Sequence, residues 1–522
     1  MLINFLEFEF FKKFSENFSV KIFSTLKWNS LLICRLLNDI LKSELISFEI
    51  NPINNFDEFF NLNLDLFRYK KKQKFIFINF GADKNLKKFF KKKQIFIGNI
   101  LVFDDTPFIH FNNFNSRNIF VVLTQKKPVA FTNNKKYLEK KTKTLSKKNK
   151  VVSCFLFFFR FLKKIKKETF ESVWFEIITI NRFYLFGFIN FMTNQKKINW
   201  LEKKLFFFDK KNNQSFSKKY FKFRTVYSNT FCKIEELPIP LLRDWNLFDA
   251  LTTNPFFGTK FKIWKKSGIK KISKYFFRLG LSIKETTEAW YYIPQTKRKL
   301  LESCIENESF LFGINFKKFN SFKKIFFEKK FSQEINFFEI SACDYFLSLE
   351  SLSDCELFEF FKKNHTKIFW NVYQSLENFK SIKKGIKITQ KIQKFVSKMS
   401  RIIICNKIYI SEEHVNYIHI KNKKNFNITY LTIKNLVLYL MLAFSSKKKK
   451  KIVIIFLRSQ IRTVIVGGFP KLKFQNNPIK KQKIKENLVK LGALFDDQNT
   501  FLIEIEPCFE KNFYRMINKK CE

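Results

Sequence analysis

The sequence predicts an α/β fold, a parallel sheet first and a smaller α/β domain last, and three observations predict it. Lys74-Phe-Ile-Phe-Ile-Asn-Phe-Gly-Ala-Asp83 is an apolar run stopped by Gly81, and Ile100-Leu-Val-Phe-Asp-Asp-Thr-Pro107 is a second, stopped by Asp104, Asp105 and Pro107. Short apolar runs closed in this way suit parallel strands buried on both faces, and the carboxyl ends of such strands are where ligands bind. Segments of helical periodicity alternate with the runs, as a parallel sheet requires.

Taken in order, Phe23–Leu26 is the first strand, Trp28 and Asn29 mark its tip, and Ile33, Leu36, Leu37, Ile40 and Leu41 recur at helical spacing. Ile46–Ile50 is the second strand and Phe56–Phe60 a short helix; Phe75–Phe80, Leu101–Phe103 and Asn118–Leu123 are the next three strands. Thr124–Lys150 turns to Lys, Asn and Thr and reads as a basic, solvated linker. Val151–Trp200 is apolar and helical, and Leu201–Phe231 is a polar, poorly periodic connection.

Glu235–Glu308 is the clearest helical block. Asn254-Pro255 is a cap with proline at the first helical position, Gly280 can close a helix left-handed, and Ser282-Ile-Lys-Glu285 has capping-box spacing. Asp354–Ser400 continues helical. Strands at Arg401–Ile410, His414–Ile420, Lys451–Leu457, Ile461–Val466 and Phe501–Glu506 then alternate with helices at Leu431–Phe444 and Pro478–Leu491. Gly467-Gly468 follows an apolar strand without the Lys-Ser/Thr of a phosphate loop and reads as a turn. The division that results is 1–123, 124–150, 151–234, 235–310, 311–400 and 401–522.

A length of 522 residues suits two or three domains of roughly 100–200 residues. The net charge of +53, from 98 Lys+Arg against 45 Asp+Glu, suits a nucleic-acid partner. The same composition, with 74 Phe and only 11 Gly, is also what drift of the coding DNA toward A+T produces, and the lysines are spread along the whole chain. The nine Cys include no C-x-x-C pair, which excludes a zinc framework and suits a reducing compartment. Glu7 and Glu9 stand where a targeting segment would be basic. Val173–Met192 is interrupted by Glu176 and Arg182, and Asn425–Phe444 by Lys434, so both read as buried helices rather than membrane spans.

Three strand tips, Leu26-Lys-Trp-Asn-Ser-Leu31, Phe77-Ile-Asn-Phe-Gly-Ala82 and Val102-Phe-Asp-Asp-Thr-Pro107, resemble in order and spacing the cell-division-control protein 45 family, a relative of the RecJ-like DHH phosphoesterases. Leu242-Arg-Asp-Trp-Asn-Leu-Phe-Asp-Ala-Leu251, Lys260-Phe-Lys-Ile-Trp264, Phe277-Arg-Leu-Gly-Leu-Ser282 and Phe338-Glu-Ile-Ser-Ala-Cys-Asp344 are similar to its later segments. The resemblance covers the chain except Thr124–Lys150 and Leu201–Phe231. It implies an N-terminal DHH (RecJ-like) parallel-sheet domain, a central helical insertion and a C-terminal DHHA1-like α/β domain.

An active DHH enzyme carries Asp-x-Asp at the first tip, because two hard metal ions about 3.5–4 Å apart need bridging carboxylates. Lys27 and Asn29 stand there, Asp104 and Asp105 are followed by Thr106 and Pro107 instead of two histidines, and His110 stands alone as a loop residue. His365, His414 and His419 have no paired Asp or Cys. The resemblance therefore implies a protein without catalytic, metal or cofactor residues, with Lys27, Asn29 and Asp104 at the former metal positions. It implies a scaffold subunit of the replicative helicase, the CMG assembly, which joins the minichromosome-maintenance (MCM) ring and GINS at replication origins beside the replicative polymerase machinery. Contact with single-stranded DNA and a place in a nucleus, or a relict nucleus such as a nucleomorph, are implied as well. Trp290, Tyr291 and Tyr292 are aromatics of the kind found at interface centres, and Lys262, Lys265, Lys266, Lys270 and Lys271 could face phosphates; core packing and a solvated helix face are the plain alternatives. The acidic insert usual in the family is replaced by the basic Thr124–Lys150. The rival functions are an active RecJ-like single-strand nuclease and an organellar RNA-binding or ribosomal protein.

Overall fold

In the computed structural model of this chain, the central strands of the first sheet bury apolar side chains on both faces, whereas its edge strand Phe48–Pro52 buries none of its residues fully. The structure describes residues 19–54, 56–61, 73–92, 97–105, 108–114, 119–122, 129–131, 153–212, 226–227, 231–314, 316–329, 335–354, 365–412, 415–421, 429–444, 451–458, 463–468, 488, 494–496 and 500–521. It falls into two units, residues 1–180 with 358–378, and residues 181–357 with 379–522.

The first unit runs β1 (Val20–Ser24), α1 (Trp28–Ser43), β2 (Phe48–Pro52), α2 (Phe56–Asn61), β3 (Gln73–Ile78), α3 (Leu86–Lys92), β4 (Ile97–Phe103), β5 (Phe108–His110), β6 (Ile119–Val122) and β7 (Val129–Phe131). Strands β2-β1-β3-β4-β6 form one sheet, parallel throughout, while β5 and β7 pair separately. Phe23, Phe75, Phe77, Ile100 and Val102 share a core with Phe59 of α2 and Phe89 and Phe90 of α3. Some of its rings meet edge to face, Phe23 and Phe59 at 4.9 Å and Phe59 and Phe77 at 5.1 Å, and others stack, as Phe75 and Phe90 do at 5.9 Å. Such pairs gain roughly 0.5–1.5 kcal/mol beyond their burial, which suits a core made mainly of Phe. The alternate residues Ile22, Ile76, Ile78, Leu101 and Phe103 are equally buried. Among them Phe103 packs 5.3 Å from Phe158 of α4 (Cys154–Lys164). Helix α5 (Phe170–Leu185) follows, and its Val173, Trp174, Phe175, Ile177 and Ile178 are buried.

The second unit holds α6 (Phe191–Asn212) and an antiparallel sheet of order β11-β10-β9-β8, made of β8 (Val226–Tyr227), β9 (Phe231–Glu236), β10 (Phe319–Lys329) and β11 (Ile335–Ser341). Between β9 and β10 lie α7 (Leu247–Thr253), α8 (Pro255–Phe261), α9 (Lys266–Arg278), α10 (Ile283–Thr287) and α11 (Gln295–Leu311). The Asn254 side chain accepts from the Phe256 and Phe257 N–H groups with Pro255 at the first position; Ser282 and Glu285 close a reciprocal capping box; Gly280 has φ +70°. These satisfy the helix-end groups that would otherwise lose their partners.

Helices α12 (Ala342–Leu352) and α13 (Phe379–Cys405) lead to a mixed sheet of order β12-β13-β14-β15-β17-β16, containing β12 (Ile410–Ser411), β13 (Val415–Lys421), β14 (Ile452–Arg458), β15 (Thr463–Gly468), β16 (Leu494–Asp496) and β17 (Thr500–Ile505), with α14 (Tyr430–Phe444) after β13 and α15 (Glu510–Cys521) last.

Three readings of the sequence need correction. Arg401–Ile410 is not a strand, because α13 runs to Cys405 and buries Ile403 on the same face as Val396 and Ser400; packing overrides the β-propensity of Ile402-Ile-Ile404. The supposed connection after Leu201 begins as helix, since Ile198, Leu201 and Leu205 bury one stripe of α6. Gly467 and Gly468 are strand residues, not a turn: a Cβ on Gly467 would lie 2.2 Å from the Phe501 ring, and one on Gly468 would lie 2.4 Å from Met441 Sδ. The linker Thr124–Lys150, β7 apart, and the helix at Pro478–Leu491, Leu488 apart, lie outside the described residues.

Two of the three charges that interrupt the apolar runs, Arg182 and Lys434, are buried with partners. Arg182 lies 5.2 Å from the ring of Phe186 and 5.1 Å from that of Phe346, and Lys434 Nζ is 3.0 Å from Glu350 Oε1 with both side chains buried. Among the described residues no helix is long and apolar enough to cross a membrane. Replacing one member of a buried ion pair leaves an uncompensated charge at about 3–5 kcal/mol, whereas removing both is close to neutral. Lys434→Met should therefore lower the denaturation midpoint markedly, and Lys434→Met with Glu350→Leu should recover most of the loss.

A cleft in the second unit is lined by Glu236, Arg243, Trp290, Glu302, Ser341, Cys343 and Asp344. Asp344 accepts from the Leu241 N–H at 2.7 Å and thereby holds Leu241 at φ +64°, in the left-handed region. Burial first, and then the Glu236 and Asp244 carboxylates, push Asp344 up to about 7 from 3.8. The folded state thus binds this proton more tightly than the unfolded one, so stability falls as pH rises from about 4 to about 7. Asp344→Asn keeps an acceptor for Leu241. It should flatten that part of the pH–stability curve and be more stable than the parent at pH 8 by on the order of 2–4 kcal/mol in denaturant titrations.

Candidate functional site

Strand β1 ends at Ser24, and α1 begins at Trp28 with Lys27 as an extended N-cap whose side chain makes no capping bond. Asn29, on the first turn of α1, is 3 % exposed. The tip of β3 carries Asn79 in the left-handed region at φ +62°, its N–H donating to Phe103 O at 2.6 Å. Asn is among the few residues that adopt this conformation readily. The tip of β4 carries Asp104 and Asp105. Because β1, β3 and β4 are parallel neighbours in register, their carboxyl ends come together at one edge of the sheet.

Hydrogen bonds tie these tips to one another. Asn79 Nδ2 donates to Asn29 Oδ1 at 2.9 Å and to Ser30 Oγ at 2.5 Å; Asn29 Nδ2 donates to Asp105 Oδ2 at 2.5 Å; Asp105 Oδ1 accepts from the Cys154 N–H. Asp104 Oδ2 accepts from Ala82 N–H at 3.2 Å, which fastens the loop after Gly81. Cys154 opens α4, so the Asp105 carboxylate also meets the positive end of a helix. Burial pushes Asp105 up to about 6, while the Lys27 ammonium and the two donors pull it down.

This donor set does not fit a pair of metal ions. Metal sites of that kind need several carboxylate or imidazole ligands with free lone pairs. Here one tip presents an ammonium and an amide, the next presents an amide, and the two carboxylates are engaged by N–H donors. Among the described residues no group of three His, Cys, Asp or Glu could hold a metal. An Asp at position 29 would set two carboxylates at hydrogen-bonding distance, whereas Asn29 offers an N–H to one of them. His110 lies at the end of β5; its backbone N–H donates to Ala82 O at 2.9 Å and its ring Nδ1 accepts from Asn112 N–H.

Lys27, Asn29 and Asp104 thus stand at one sheet edge, with Lys27 acting on Asp105 through its charge. Asp105, read at the same strand tip, joins them, and Asn79, Ser30 and Cys154 complete the arrangement; sequence reasoning did not single out these last three as site residues. For Asn79 a signal existed, an Asn two residues before Gly81 at the end of an apolar run; for Cys154, 49 residues from Asp105, none did.

The other candidate residues lie in the second unit. Lys262 ends α8 in the left-handed conformation, Lys265 is the N-cap of α9, and Lys266, Lys270 and Lys271 follow on that helix; all five are exposed. Trp290 is 2 % exposed and its backbone N–H donates to Trp245 O, so it belongs to the core rather than the surface. Tyr291 and Tyr292 are 57 % and 73 % exposed, their rings 4.3 Å apart.

Asp105→Ala would strand the Asn29 amide and the Cys154 N–H. It should cost about 1–3 kcal/mol in chemical denaturation; an unchanged midpoint would show that the network carries no structural load.

The CDC45 family model matches residues 20–152 and 123–503. A curated relative, the cell division control protein 45 homolog of Schizosaccharomyces pombe, is 23 % identical over 103 residues, which span 20 % of this chain and 16 % of that protein's length. The crystal structure of CDC45 from Entamoeba histolytica shares the fold, with a TM-score of 0.69 at 14 % identity over 98 % of both chains. The crystal structure of exonuclease RecJ bound to manganese covers 96 % of this chain and 89 % of that one, but its TM-score of 0.38 at 9 % identity is too low to bear on this site. Matched over most of its length, this chain belongs to the CDC45 family.

Proposed function

We propose that this protein is a non-enzymatic DNA replication factor of the nucleus or a relict nucleus, a scaffold subunit of the replicative helicase that joins the MCM ring to GINS. The observation that carries the reading is the engagement of Asp104 and Asp105 by N–H donors at a strand edge that presents Lys27, Asn29 and Asn79 instead of metal ligands. In this reading Lys27, Asn29 and Asp104 are the remains of a metal site whose residues now hold three strand tips together. The work of the protein then falls to its outer surface, where Tyr291 and Tyr292 supply exposed aromatic area and Lys262, Lys265, Lys266, Lys270 and Lys271 a basic face toward DNA. Exposed paired aromatics serve as interface anchors because they bury much area at small entropic cost.

Purified protein should capture the cognate MCM ring and GINS in pull-down. Tyr291→Ala with Tyr292→Ala should weaken capture by about tenfold or more while leaving the melting temperature unchanged, since neither ring is buried. Failure of the parent protein to bind either partner would overturn the proposal. Manganese-dependent release of nucleotides from single strands, lost on mutating Asp104 and Asp105, would establish a nuclease instead, and cofractionation with ribosomes would point to an RNA-binding protein.

A further inference from the structure

Helix α13 contains seven Lys and one Arg and no Asp or Glu in its 27 residues. Codon drift alone does not account for this, because α11 in the same unit balances Lys297, Arg298 and Lys299 with Glu302, Glu306 and Glu308. Position decides the matter further. Ile382, Gly385, Ile386, Thr389, Ile392, Val396, Ser400 and Ile403 are buried on one side. Lys384, Lys387, Lys391, Lys398 and Arg401 are exposed and separated by three, four, seven and three residues. At about 3.6 residues per turn these five fall within one arc of the opposite side, and at about 1.5 Å per residue they span roughly 26 Å.

The row is held rigidly. A Cβ on Gly385 would lie 2.2 Å from Ser348 Oγ, which itself donates to Ile382 O at 2.6 Å, and Thr389 Oγ1 donates to Leu347 O at 3.1 Å. Of the neighbouring cations, Lys394 is already 2.6 Å from Asp249 and Lys383 lies over the Phe379 ring. Among the described residues none of the five is paired with a carboxylate. At the far end Cys405 Sγ donates to Trp264 O at 3.3 Å, which sets the exposed Lys262, Lys265 and Lys266 beside the last turns of α13. Those lysines surround the N-terminus of α9, where the helix dipole disfavours cations and the first turn holds no acid.

We propose that Lys384, Lys387, Lys391, Lys398 and Arg401, continued by Lys262, Lys265 and Lys266, form a ridge along which a nucleic-acid phosphodiester backbone runs. A narrow file of unpaired cations on a rigid rod suits a linear polyanion with closely spaced charges. A membrane would also need apolar insertion, and the large apolar side chains that α13 exposes are Ile388 and Ile402, at only 39 % and 37 %. The inference rests on the reading that the protein works at DNA and gives that contact a place.

Fluorescence polarisation with a thymidine homopolymer and a duplex, each of about 30 nucleotides, tests it across roughly 50–200 mM salt. Lys387→Gln, Lys391→Gln and Lys398→Gln together should weaken binding about tenfold or more and reduce the slope of log K against log salt by about 2. The control Lys87→Gln, Lys88→Gln and Lys91→Gln, equally exposed on α3, should change affinity less than about twofold. Loss on the homopolymer alone identifies a single strand as the ligand; loss on both probes identifies the backbone common to them. Equal effects of the two triple variants, or loss confined to phosphatidylserine vesicles, would overturn the proposal. If the ridge variant fails to fold, Lys391→Glu alone is judged by the same criteria. Continued capture of MCM and GINS by a DNA-deficient variant separates failure of the ridge from failure of the scaffold reading.

Discussion

The Asp105 carboxylate, accepting from the Asn29 amide on one side and the Cys154 N–H on the other, is the constraint on which the first unit depends. Parallel strands expose polar backbone and side chains at their carboxyl ends, and these groups need partners once the surrounding elements exclude water. A cluster of carboxylates can find them in metal ions. This chain finds them internally: the Asn29 amide stands against Asp105, Asn79 links that amide to Ser30, and the residual charge of Asp105 faces Lys27 and the N-terminus of α4. The hydrogen bonds that close the network tie β1, β3 and β4 to a helix 49 residues beyond Asp105.

The fold was legible where local pattern and packing agree. The central parallel strands could be read because they are apolar on both faces and β3 and β4 end in residues that stop them, and the helical block because Asn254, Gly280 and Ser282 with Glu285 are local cap signals. It was illegible where a distant contact reverses a local preference. Ile402-Ile-Ile404 looks extended until the buried face of α13 is known, and Gly467-Gly468 looks like a turn until Phe501 and Met441 are seen to need the space. For the candidate site, the unusual tip at Lys27 and Asn29 could be read directly. The hydrogen bonds that explain the Asn could not, because they join residues 50 and 76 positions apart.

Charge shows the same division. A net charge of +53 is uninformative while lysine is common everywhere, yet the fold sorts the lysines. Lys434 is buried against Glu350 and Lys394 against Asp249 is a surface pair, whereas the row on α13 has no acid within its helix. Composition bounds what a protein can bind, and only the arrangement of unpaired charge says where.

The central claim is that the meeting point of the strand tips is held by hydrogen bonds among the protein's own groups and has no use for metal ions. Titrating the protein with manganese(II) and following free ion by electron paramagnetic resonance tests it most directly. The account predicts that the free-ion signal rises as in buffer, with no stoichiometric uptake at micromolar concentrations and no change in melting temperature. Uptake of one or two ions per chain, abolished by Asp105→Asn, would contradict it.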